Sequence, residues 1–216
     1  MQHKHLIVGA VSAVAVLVAA GCAGMPSSDD LDREAMAMLK SSFTERGIAK
    51  MDRLEQDIGQ KACSSATPPP EAMAKRIEAE ALATIKYPSD GKYIGQWQDG
   101  EKLAQNGRGM SWSDASAQPS ANGGSCYNCH QISKQELSYG TIGPSLYNYG
   151  KLRGVKDLND AASNPIVKYT WAKIWNSKAF AACSNMPRFG HRQLLDEEQI
   201  RDVMALLLDP KSPVNQ

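Results

Sequence analysis

The chain lacks an apolar run long enough to cross a bilayer, an excess of either charge, and strand-like alternation of useful length. It also has little histidine. Its longest apolar stretch, residues 6–20, is fifteen residues, where a spanning helix needs about 20. That length fits the apolar region of a secretory signal, which follows a start whose only charge is Lys4. Of 24 Lys/Arg and 23 Asp/Glu residues, one lysine falls in this leader, so the remainder is balanced. Residues 101–216 are mildly basic, a bias that also describes an ordinary solvated surface. Without alternation or an internal repeat, the expected fold is all-α. Of the four histidines, His3 and His5 lie in the leader, so only His130 and His191 remain for chemistry.

The leader ends in "LVAAGC". Small residues before a cysteine fit a lipoprotein signal, in which Cys22 becomes the lipidated N-terminus and a membrane tether. Ala19 stands where leucine is usual, and plain cleavage after Ala20 or Gly21 is the alternative. Either route exports the chain, to the periplasm in our reading, where disulfides persist. Export also removes nucleic acid from the expected partners. There are five cysteines. If Cys22 carries lipid and the close pair Cys126 and Cys129 serves one motif, Cys63 and Cys183 remain, and in an oxidising compartment they are expected to pair.

Apolar spacing gives the expected elements. Leu31, Ala35, Met38 and Leu39 predict one helix, and Ile48, Met51, Leu54 and Ile58 a second, with Gly47 between them. "TPPPEA" is a linker before a third helix over residues 71–86, with Ile77, Ala81 and Ile85 on one face. "WQDGEKLAQNGRG" opens a more compact region. Residues 165–180 are expected to be helical, with Ile166, Tyr169, Trp171, Ile174 and Trp175 as apolar positions. In the last helix Asp196 and Gln199 form a capping box. Ile200, Val203, Met204 and Leu207 then make a stripe, and Asp209-Pro210 ends it. Gly100, Ala104 and Gly107 would let the opening helix cross this one closely. The expected organisation is a signal peptide over 1–21, a helical extension over 22–94 and a domain over 95–216.

"GGSCYNCHQI", residues 123–132, admits three readings. A redox dithiol belongs near βαβ patterning, which is missing. Zinc needs four ligands; Cys63, Cys183 and His191 would complete a set on paper, but without a second tight pair. C-x-x-C-H is also the attachment motif of c-type haem. Two thioethers to one macrocycle require cysteines about a turn apart, and the adjacent histidine then lies beneath the iron. The motif occurs once, so one covalently bound haem c is expected, on Cys126 and Cys129 with His130 as axial ligand. "IGPSL" then offers the Pro144 carbonyl to the imidazole N–H. For the sixth position the downstream candidates are Met186, Met204 and His191. Met186 is favoured, in a loop stiffened by Pro187, while Met204 sits on the apolar stripe. Arg188 is a candidate neighbour of a haem propionate, with an exposed arginine as the alternative. No catalytic constellation is visible.

"GQWQDGEKLAQNGRG", "GGSCYNCHQI", "GTIGPSL", "MPRFG" and "EEQIRDVMALLLDPKSPVN" together resemble the SoxX family. These are monohaem cytochrome c subunits of the SoxAX complexes of bacterial thiosulfate oxidation. The resemblance covers residues 95–216, and "GIAKMDRLEQDIGQKAC" resembles an extension found in some members. It implies a class I-like cytochrome c domain and a non-catalytic electron-transfer subunit of an L-cysteine S-thiosulfotransferase. The implied partners are SoxA, in a heterodimer, and, transiently, SoxYZ and a soluble cytochrome c. In that family thiosulfate is coupled to a cysteine of SoxYZ at a cysteine-ligated haem of SoxA, and SoxX passes the electrons on. Cys126, Cys129, His130 and Met186 match the attachment and axial residues. The lipoprotein-type leader departs from a simple periplasmic subunit.

Overall fold

A computed structural model describes residues 26–114, 116 and 118–216. Cys22 and its leader lie outside the described residues. Among these residues there are helices and turns and no strand, only an isolated bridge between Arg46 and Ala49. The fold is all-α. Among the described residues no helix is long and apolar enough to cross a membrane.

The chain divides into two units, one up to Thr44 and one over Glu45–Gln216. The first contributes helix α1, Ser28–Ser42. A capping box between Ser27 and Asp30 starts it, and Phe43 leaves it in extended geometry. None of its residues is buried.

The second unit holds α2 (Ile58–Cys63), α3 (Glu71–Ala83), α4 (Trp97–Gln105), α5 (Tyr149–Leu152), α6 (Asn164–Trp175) and α7 (Glu197–Leu208). The helix expected over Ile48 to Ile58 is not formed. Gly47 turns with φ +51°, Arg46 and Ala49 pair across that turn, and only a short 3-10 turn follows at Met51–Leu54. A helix begins only where Asp57 and Gln60 make a capping box.

Helix α7 is the centre of the core. Asp196 caps it as expected, accepting the Gln199 N–H at 2.9 Å. Burial goes beyond the expected stripe to Ala205, Leu206 and Leu208, because α4, α5 and α6 all pack around it. The α4–α7 crossing depends on Gly100, where a Cβ would stand 2.1 Å from the Asp202 carbonyl oxygen. Ala104 is fully buried at the same contact. Gly107 lies beyond α4 and faces Ser125 instead.

On α6 the inward positions are Val167, Thr170, Trp171 and Ile174, while Tyr169 is exposed. Both indoles reach back to the preceding segment. Trp171 Nε1 donates to the Lys86 carbonyl at 2.8 Å and Trp175 Nε1 to that of Thr84 at 3.0 Å. Ile77 and Ala81 of α3 are buried, and Cys63 is disulfide-bonded to Cys183, 120 residues on. Residues 45–94 therefore belong to the same compact unit as residues 95–216.

Candidate haem site

The attachment turn is built on the end of α4. Gly123, Gly124 and Ser125 donate their N–H groups to the carbonyls of Arg108, Leu103 and Asn106 at 2.9, 2.8 and 3.0 Å. The approach is close enough that a Cβ on Gly123 would stand 1.8 Å from the Asn106 oxygen. Ser125 then adopts a left-handed conformation, φ +51°, and Cys126–Asn128 form a 3-10 turn. The Cys129 and His130 N–H groups both bond the Cys126 carbonyl, at 3.1 and 2.9 Å. Cysteines and imidazole thus belong to one turn.

The two residues between the cysteines acquire roles with no signal in the motif. Asn128 closes the turn by donating its side-chain amide to Ser125 Oγ at 2.6 Å. Tyr127 points inward and is buried with the core. Its carbonyl accepts the Gly140 N–H at 2.8 Å, which brings the following loop back under the turn.

That loop fixes the imidazole. His130 Nδ1 lies 2.7 Å from the Pro144 carbonyl oxygen. A carbonyl only accepts, so Nδ1 carries the proton and Nε2 keeps the lone pair a metal needs. Gly143 packs flat on the ring, where a Cβ would stand 2.1 Å from Cε1.

Cys126, Cys129, His130 and Met186 all line one cavity of about 700 Å³, within the range of ~300–1,000 Å³ typical of cofactor sites. Ile132, Leu146, Ile174, Phe189, Leu195 and Leu206 give it apolar walls. His191 and Met204 do not line it. Met204 is fully buried in the core. His191 has its N–H on the Trp175 carbonyl at 3.0 Å, and burial, with Arg188 and Arg192 nearby, lowers its imidazole pKa.

The two thiols of the motif are free. Burial pushes the Cys126 thiol up to about 12. A redox dithiol needs a depressed pKa and a ready thiolate, and burial acts on Cys126 in the opposite direction. Among the described residues no cluster of His, Cys, Asp or Glu can hold a metal ion alone, and Cys63 and Cys183 are spent on their disulfide. The zinc reading therefore has no ligand set there. A haem c fits what remains: two thiols and an oriented imidazole at the edge of an apolar cavity that also takes in a thioether.

Arg188 does not line the cavity. Its Nη1 lies 2.7 Å from Asp57 Oδ2, and its side chain is 14% exposed, so it is not the exposed arginine of the alternative reading. Nothing in the spacing around Met186 signals Asp57. The cations that line the cavity are Arg153 and Lys173. Arg153 stacks 3.7 Å from the Tyr149 ring centroid. Burial lowers the Lys173 pKa. Tyr149 OH lies 2.9 Å from Thr170 Oγ1, and Thr170 gives its one proton to the Ile166 carbonyl at 2.7 Å. Tyr149 therefore donates to Thr170.

An all-α fold with a C-x-x-C-H turn opening on an apolar cavity defines a c-type cytochrome. Residues 120–210 match the cytochrome c family. A protein of Aquifex aeolicus described as an uncharacterised lipoprotein is 38% identical over 167 residues, spanning 74% of this chain and 73% of that protein. The chain thus contains a cytochrome c domain, and that domain implies covalently bound haem c.

Proposed function

We propose that this protein is a monohaem electron-transfer subunit of the SoxX type, working with a SoxA-like partner in thiosulfate oxidation. The observation that carries the electron-transfer part is the single cavity shared by Cys126, Cys129, His130 and Met186. A haem c bound there supplies a one-electron iron couple. His130 enters with its Nε2 lone pair oriented by Pro144. Met186 is the residue that would supply a second ligand to the iron; a thioether there would close the metal to substrates and raise the potential relative to a second histidine. The apolar walls keep water from the site. Arg153 and Lys173, in place of Arg188, offer their charges to the propionates.

The finer assignment is supported by the resemblance of residues 95–216 to SoxX. It makes the protein a conduit that receives electrons from SoxA as thiosulfate is coupled to SoxYZ and delivers them to a soluble cytochrome c. Its location in this reading is periplasmic. The lipoprotein description of the Aquifex relative supports lipid on Cys22 and a membrane tether. The test is isolation of the native protein with its bound subunits. A co-purifying second cytochrome supports the SoxAX reading, and a chain recovered alone, with one haem, indicates a free-standing carrier. The mass of the mature N-terminus tests the lipid.

A further inference from the structure

The loop that carries Met186 contains only turns between the 3-10 turn at Ser177–Ala179 and the start of α7. The cytochrome core holds it through Ser177 Oγ, which donates to the Met186 carbonyl at 2.6 Å, through the His191 N–H on the Trp175 carbonyl at 3.0 Å and through the buried side chains of Phe189 and Leu195. Further tethers, close to Met186 on both sides, come from the segment before residue 95. Three residues before Met186, Cys183 is bonded to Cys63. The Ala182 N–H beside it donates to Glu78 Oε1 at 3.2 Å. Two residues after Met186, Arg188 meets Asp57 Oδ2 at 2.7 Å, and Arg192 meets the same oxygen at 2.9 Å.

The disulfide and the Asp57 ion pairs share one short element. Asp57 Oδ1 accepts the Gln60 N–H at 2.8 Å and starts α2, and α2 ends at Cys63. A single helical strut thus carries a carboxylate at one end and a disulfide at the other. It grips the methionine loop on both sides of Met186.

We propose that Asp57 and the Cys63–Cys183 disulfide are positioning groups for the sixth haem ligand, holding Met186 at the iron. The proposal rests on the reading that Met186 is that ligand. A thioether binds iron weakly, so its occupancy depends on the ordering entropy the loop has already lost. Releasing the loop lowers the closed fraction and raises the apparent affinity of an external ligand in proportion.

The test uses the holoprotein in three forms: wild type, Cys63→Ala with Cys183→Ala, and Asp57→Asn. Two quantities are read, the weak long-wavelength charge-transfer band of Met-ligated ferric haem and the affinity for imidazole. Asparagine still caps a helix and leaves the disulfide intact, so Asp57→Asn serves as the folded variant if the cysteine pair cannot be removed. We expect both variants to lose band intensity and to bind imidazole about tenfold more tightly than wild type. A merely structural role would lower melting temperature without moving either quantity below the melt. A wild-type band that persists undiminished in both variants, with unchanged imidazole affinity, overturns the clasp. A wild-type protein without the band overturns the ligand reading itself.

Discussion

At His130 a single contact decides the chemistry available. The Pro144 carbonyl accepts the hydrogen bond from Nδ1–H, and the backbone of Gly143 lies where any side chain would displace the ring. Gly143→Ala is therefore expected to lower haem content per polypeptide sharply, measured against protein in the purified chain. Asp57 sets a second residue-scale expectation. Burial raises its pKa, but the Gln60 N–H and the Arg188 and Arg192 guanidiniums outweigh that and hold it at about 2, below its ordinary 3.8. A depressed carboxylate stabilises the fold above its unfolded pKa, and that contribution is lost as pH falls through the folded one. Melting temperature should thus drop between about pH 4 and about pH 2, and Asp57→Asn should remove that component of the acid dependence.

The element that organises the molecule is α7, and its parts were unequally legible. The capping box, the stripe and the Asp-Pro stop are local signals, and each appears as expected. The burial of Ala205, Leu206 and Leu208 was not legible, because it comes from three other helices closing round α7. The false helix at Ile48–Ile58 failed for a related reason. Its apolar spacing was helical, but a glycine turn and the Asp57 cap divided it. Substituting Asp196→Ala should cost about 1 kcal/mol in chemical denaturation. Gly100→Val should cost about 3 kcal/mol or fail to fold, since its side chain would displace the backbone of Asp202.

Over the whole molecule, the cysteine count anticipated the Cys63–Cys183 bond but not its consequence. It joins the segment before residue 95 to the loop of Met186. Long-range partners of this kind leave no local mark in the sequence: Asp57 with Arg188, Thr84 with Trp175, Lys86 with Trp171. Cys126, Cys129 and His130, which line one cavity, were legible as a motif because attachment of haem c needs fixed local spacing. The Asp57 partner of Arg188 was not legible, because it lies 131 residues away. A cross-link closing so long a loop contributes up to about 4–5 kcal/mol, and replacing both cysteines by alanine should lower equilibrium stability by up to that amount.

The most direct measurement of the central claim is the ferric visible spectrum of the holoprotein compared with Met186→Ala and His191→Ala. A Met-ligated, closed haem predicts the charge-transfer band in wild type and in His191→Ala, and its loss in Met186→Ala. A wild-type spectrum without that band, or a band that survives in Met186→Ala, would contradict the account.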